Sequence, residues 1–289
     1  MRPVALILLL TIIATACSDA EPDTNTTAGG AAGTSPTTVD PAGLVAPCLV
    51  EIAGYVPDGA LVVGDGVGDA TTLSSIRWET YPGCDRVEFG FLAASGAPAS
   101  AVGTSVATLT SDAGVVRIQY PEGVSATGPS DTTIETDLVT AVYVVWTREG
   151  RLATDLHLSD SQPVVFAASS ATSPARTVID LRPGAADGVP PTAPLISETL
   201  VLVSPTGGSA TYPLRVTGYA RGGDGQVVVR YRVAGAIVEE RRTPTAGDGS
   251  SWGEFTLVID DGPSGAAELF VGHVIGELEA GVTVTLEVE

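Results

Sequence analysis

The chain is 289 residues long and carries 34 acidic side chains against 14 arginines and no lysine, a formal net charge of −20 at pH 7. A surface this acidic repels nucleic acid, anionic lipid headgroups and anionic wall polymers, so nonspecific polyanion binding is excluded whatever the fold. The same charge keeps an exported protein soluble.

The N-terminus has one basic residue, Arg2, then an uncharged apolar run over 4–13, then Ala14-Thr15-Ala16 leading into Cys17. This is the layout of an export signal, and it is too short for a stable membrane span. The small residues before the cysteine resemble the lipobox of bacterial lipoproteins, where the peptidase needs access to the backbone and the thiol then takes diacylglycerol. The resemblance implies that 1–16 is a cleaved lipoprotein signal peptide and that Cys17 carries the lipid anchor. Two or three acyl chains, palmitate among them, would then hold the mature protein on the extracytoplasmic side of the cell membrane. The other reading of Ala14-Thr15-Ala16 is an ordinary signal-peptidase site that leaves a soluble secreted protein.

Residues 17–44 follow as the lipidated cysteine and a tether. From 18 onward this stretch has no aromatic residue and almost no large aliphatic one, so it cannot bury a core and is expected to be disordered. As a flexible coil it reaches roughly 30 Å. With Cys17 assigned to the anchor, Cys48 and Cys84 remain as an even pair in a chain bound for an oxidising compartment. A disulfide between them would close a loop of roughly 37 residues, worth about 3–4 kcal/mol in the chain-entropy account.

Residues 45–182 read as an antiparallel β-domain. Val87, Phe89 and Phe91 alternate with Glu88 and Gly90, and Val116, Ile118 and Tyr120 alternate with Arg117 and Gln119. Strands over 143–147 and 152–158 flank Arg148-Glu149-Gly150-Arg151, a hairpin turn whose glycine can take positive φ. Cys84-Asp85-Arg86-Val87-Glu88-Phe89, placed after Ile76-Arg77-Trp78, resembles the F-D-R-V-V-F signature near the start of the AMIN-like domain of bacterial envelope lipoproteins. Ser173-Pro174-Ala175-Arg176-Thr177-Val178-Ile179-Asp180 resembles the S-P-P-R-L-V-V-D strand that closes the same domain. The match covers about 71–181, with Cys84 in place of the usual aromatic residue. It implies a role in localisation to the envelope, in some relatives through peptidoglycan. Arg86 follows Asp85 in the sequence, and Arg176 stands four residues before Asp180. Two readings of them stay open: sheet-edge ion pairs, or guanidinium forks that bind a carboxylate or sugar ligand.

A proline-rich linker, 183–198, separates this domain from 199–289, where seven strands are expected at 200–203, 214–220, 226–233, 236–242, 254–259, 267–271 and 282–288. Seven short strands in about ninety residues is the count of an immunoglobulin-like sandwich. Val203-Ser204-Pro205-Thr206-Gly207-Gly208, then Leu214-Arg215-Val216-Thr217-Gly218-Tyr219-Ala220, then Gly253-Glu254-Phe255-Thr256-Leu257, resemble the immunoglobulin-like domain of bacterial spore germination and related envelope proteins. His273-Val274-Ile275-Gly276-Glu277 replaces that family's S-x-x-D-G turn. Such domains imply an interaction or spacer role.

Converging polar groups are scarce. The two histidines, His157 and His273, fall in different domains, and His157 between Leu156 and Leu158 is expected on the outer face of a strand, exposed and idle. Asp155, His157 and Asp160 do not form a persuasive metal site, because Asp160 falls in the turn. Gly103-Thr104-Ser105-Val106-Ala107 lacks the last glycine of a nucleophile elbow. Gly64-Asp65-Gly66-Val67-Gly68-Asp69 lacks calcium-loop spacing and reads as a turn. Trp252 is expected in the core rather than as a sugar platform.

The expected fold class is all-β, with two β-sandwich-type domains after the signal peptide and tether. The expected function is that of a non-catalytic, membrane-anchored scaffold or wall-associated binding module. It would use no cofactor and no metal, with peptidoglycan or an envelope protein as partner. The alternatives are an assembly factor of an envelope complex and, behind it, a solute-binding protein or enzyme.

Overall fold

The alternation of the sequence is realised as β-structure throughout. A computed structural model describes residues 48, 54–64, 66–128, 130–222, 224–247, 249–276 and 278–289, and among them there is no α-helix; a 3₁₀ turn lies at Ser111–Ala113. Cys17, the signal peptide and the tether lie outside these residues. So does Asp65 of the glycine-rich loop.

The first part of the chain forms β1 (Gly59–Val63), β2 (Ala70–Tyr81), β3 (Cys84–Ala93), β4 (Ser105–Thr110), β5 (Val115–Gln119) and β6 (Ser125–Ala126). It continues with β7 (Asp131–Thr133), β8 (Val139–Trp146), β9 (Leu152–Leu158), β10 (Val164–Ala171) and β11 (Arg176–Pro183). The second part forms β12 (Leu195–Ile196), β13 (Leu200–Ser204), β14 (Gly208–Ala210), β15 (Leu214–Ala220) and β16 (Gln226–Val233). After these come β17 (Ala236–Pro244), β18 (Trp252–Ile259), β19 (Gly265–Ile275) and β20 (Leu278–Val288).

These strands make three sheets. Sheet A has the order β10-β11-β3-β2-β6 and sheet C the order β14-β20-β19-β16-β17. Sheet B is ten-stranded and runs β1-β4-β5-β9-β8-β18-β15-β13-β12, with β7 added beside β8. Its first strands enclose, with sheet A, a core that includes Val87, Phe89, Phe91, Ile118, Leu156 and Phe166. Its later strands enclose, with sheet C, a second core that includes Leu202, Val216, Val229, Tyr231, Phe255 and Leu269.

A proline-rich linker permits either docked or independent halves. Sheet B passes through both of them. A short parallel pairing, Val145 opposite Trp252 and Trp146 opposite Gly253, joins β8 to β18. A third apolar cluster fills the seam, with Tyr143 and Val145 meeting Val201, Tyr219 and Trp252. Gly253 is required by its own half, since a Cβ there would sit 1.4 Å from the carbonyl oxygen of Ala246, in the turn that leads into β18. Gly114, at φ 62°, serves the linker in the same way: a Cβ would come 2.2 Å from the Thr192 carbonyl oxygen. The end of the linker pairs as β12 with β13, Leu195 opposite Leu202.

Candidate functional site

Sheet A carries a ladder of charges on one face, and its register explains why. Directly opposed residues of antiparallel strands share a face. Ser75, Gly90 and Arg176 therefore form one row; Arg77, Glu88 and Val178 the next; Glu79, Arg86 and Asp180 the third.

In the third row Arg86 Nε donates to Asp180 Oδ1 and Nη2 to Asp180 Oδ2, each at 2.7 Å, with both side chains buried. Burial opposes the guanidinium charge, and the Asp180 carboxylate outweighs it, so Arg86 holds its proton more firmly than a free arginine. This corrects the reading of Arg86 as a ligand-binding fork. At 4% exposure its bidentate edge is spent inside the sheet. Among the described residues the adjacent acid, Asp85, does not pair with Arg86. Asp85 and Arg86 point to opposite faces of β3, and Asp85 accepts the Leu138 N–H at 2.9 Å instead.

Arg176 pairs with Glu88 rather than with Asp180, Nη1 donating to Oε2 at 3.1 Å. It lines a groove of about 240 Å³ with Ser75, Arg77, Glu88, Gly90 and Pro98. Gly90 keeps the floor low, because a Cβ there would meet Ser75 Oγ at 2.4 Å. Arg77 is exposed and makes no ion pair among the described residues.

The other end of the face is covered. Cys48 and Cys84 are joined by a disulfide, with Cα atoms 6.2 Å apart. Arg182 donates to the Cys48 carbonyl oxygen and lies 4.8 Å from the centre of the Tyr55 ring. Val56 and Phe166 exchange backbone hydrogen bonds of 2.9 and 3.0 Å. Asp180 lies within 4.8 Å of both sulfurs, but the cysteines are bonded to each other and the carboxylate to Arg86, so these atoms are engaged.

The seam between the halves holds the second set of polar groups. His157, expected to be exposed, is buried at 1% exposure, its Nε2 hydrogen-bonded to the Tyr219 hydroxyl and its ring 4.6 Å from that of Tyr143. Alternation correctly separates the faces of β9, but the polar face meets the second half instead of water. Burial pushes the His157 pKa down to about 4, against the pull of Asp155, so the ring is neutral at neutral pH.

Beside it Arg117 forks Asp155, Nε to Oδ1 at 2.8 Å and Nη2 to Oδ2 at 2.7 Å, while Nη1 reaches Glu254 of the second half. Glu254 also accepts the Arg148 N–H at 3.2 Å. Asp131 holds the far end of the seam. It accepts from Arg221 Nη1 at 2.7 Å and from Trp252 Nε1 at 3.2 Å, and the Arg221 guanidinium lies 4.6 Å from the Trp252 ring centre. Trp252 is a seam residue at 1% exposure, with no face open to a sugar.

Between β4 and β5 on one side and β13, β15 and β18 on the other lies a cleft of about 460 Å³. Arg117, Glu254, Tyr219, Asp131 and Arg221 were not singled out in the sequence as site residues. The available signal was a polar or aromatic residue at the outward position of an otherwise apolar strand. That signal marks a face and does not identify what covers it. In the glycine-rich loop, Asp69 accepts the N–H groups of Ser100 and Ala101 at 2.8 and 2.9 Å, which hold its carboxyl below the usual range. It ties two loops together.

The chain matches no protein-family model, no curated protein and no solved structure.

Proposed function

We propose that the protein is a non-catalytic, membrane-anchored lipoprotein of the cell envelope that acts as a wall-associated binding or scaffold module. The N-terminal layout around Cys17 supports the anchor and the extracytoplasmic side, and the AMIN-like and immunoglobulin-like resemblances support a binding role. The observation that carries the reading is the sheet A groove, where Arg176 is oriented by Glu88 and exposed Arg77 stands beside it. Guanidinium groups at the rim of a shallow groove suit the carboxylates and hydroxyls of peptidoglycan. Arg176 keeps the role in ligand binding that Arg86 loses.

The test is co-sedimentation of residues 18–289 with peptidoglycan sacculi freed of anionic polymers, at low and moderate salt. Retention is expected, and an Arg77→Ser/Arg176→Ser protein should lose most of it. No retention of the parent protein would remove the wall as ligand.

A second reading, an assembly factor for another envelope complex, is favoured by one feature. Ile275 and Leu278, opposite each other at the tip of the β19–β20 hairpin, are 71% and 74% exposed. Crosslinking in intact cells that captured a single protein through this tip, with sacculi capturing nothing, would decide for it.

A further inference from the structure

We infer that the cleft between the two halves is a binding site for a neutral disaccharide, separate from the sheet A groove and formed only when both halves are present. One wall is a row of hydroxyls set by strand register. Ser204 opposes Thr217, and Thr217 opposes Thr256, across β13, β15 and β18. At the usual spacing between strands the row spans roughly 10 Å, the length of two linked pyranose rings. The other wall carries Thr108 and Thr110, two residues apart on β4 and on the face shared with Arg117 and Val115.

None of these five hydroxyls makes a hydrogen bond within the protein among the described residues, although all of them line the cleft. Each offers one donor and two acceptor positions, which matches the mixed donor and acceptor pattern of a sugar. The volume, about 460 Å³, falls within the range of small-molecule sites.

Charge selects among saccharides. The one cation lining the cleft among the described residues is Arg117, and its guanidinium is committed to Asp155 and Glu254. Asp112 stands exposed at the rim, with no ion-pair partner among the described residues. An anionic ligand would meet uncompensated negative charge, whereas a neutral one meets hydroxyls and the edge of a neutralised fork. The site rests on the wall-binding reading only for the source of the sugar, not for its chemistry.

The test uses residues 18–289 with three probes, N,N′-diacetylchitobiose, cellobiose and a disaccharide containing glucuronate, read by saturation-transfer NMR and calorimetry. At least one neutral probe should bind and the acidic one should not. Bound sugar should shift the methyl resonances of Thr108 and Thr217 in the unaltered protein. A Thr108→Val/Thr217→Val protein, nearly isosteric and checked for an unchanged melting temperature, should bind about tenfold more weakly for the two hydroxyls lost. Absence of binding by both neutral probes, equal binding of the acidic probe, or methyl shifts elsewhere in the protein would overturn the assignment. The Arg77→Ser/Arg176→Ser protein should bind the disaccharide as the parent does, so loss of sacculus retention and loss of cleft binding are read separately.

Discussion

Two arginine–aspartate forks, Arg86–Asp180 in sheet A and Arg117–Asp155 in sheet B, differ in where the rest of the guanidinium goes. In each, the partners face each other on neighbouring antiparallel strands and the carboxylate is held by two hydrogen bonds of 2.7 to 2.8 Å. Arg86 finds its nearby second acid, Glu88, on its own strand at 4.0 Å. Arg117 finds its second acid, Glu254, on a strand of the other half. Among the described residues, the ion pairs of the first fork stay within the first half, and those of the second link the two halves. The same local chemistry becomes a stability element or a coupling element according to the strand that happens to pass beside it.

The comparison breaks first at Asp180. Replacing it with alanine leaves Arg86 charged and buried, so stability by chemical denaturation should fall by about 3–5 kcal/mol, and Arg86→Met/Asp180→Leu should recover most of it. A loss below about 1 kcal/mol would mean that water reaches the guanidinium and that the two forks do not differ in this way.

The seam should be acid-sensitive next. In the unfolded chain His157 titrates near its ordinary value of 6.5, but in the fold only near about 4. Between those values the unfolded state binds more protons. The stability due to neutral His157 is therefore complete above about pH 6.5 and is lost as pH falls towards 4, by about 3 kcal/mol. Urea melts across this range should show the slope in the parent protein and a flatter one in His157→Gln.

Glu254→Gln tests the coupling role with a smaller change. It keeps the side chain's size while removing the charge that reaches Arg117, and should cost about 1–2 kcal/mol. A double-mutant cycle with Arg117→Lys should return a coupling near 1 kcal/mol, and a coupling near zero would detach this fork from the seam. Smallest of all, Arg176→Ser should change stability by less than about 1 kcal/mol, since the Arg176–Glu88 pair is only partly buried. Its effect belongs in sacculus retention instead.

Much of this architecture was legible. Strands expected at 214–220 and 226–233 coincide with β15 and β16, and the apolar sides of 87–91 and 116–118 are core positions. The cysteine pair was legible by count. The short strands β6, β7, β12 and β14 were not, because two or three residues cannot display a period. His157 was misplaced for a sharper reason. On β9, Leu152, Thr154, Leu156 and Leu158 alternate with Ala153, Asp155 and His157, and all seven are buried. A polar face against water and a polar face against Glu254 and Tyr219 have the same sequence.

What the sequence by itself determined is therefore local and two-sided: which segments extend, which side of each is apolar, and where glycine breaks the chain. These follow from the backbone period and the transfer preference of each side chain. Only the tertiary structure decided that Arg86 is spent on Asp180, that Arg176 stays at a groove, and that sheet B continues from β8 into β18. Those outcomes depend on which strands become neighbours. Such pairings set residues about a hundred positions apart against each other and leave no pattern within any one strand.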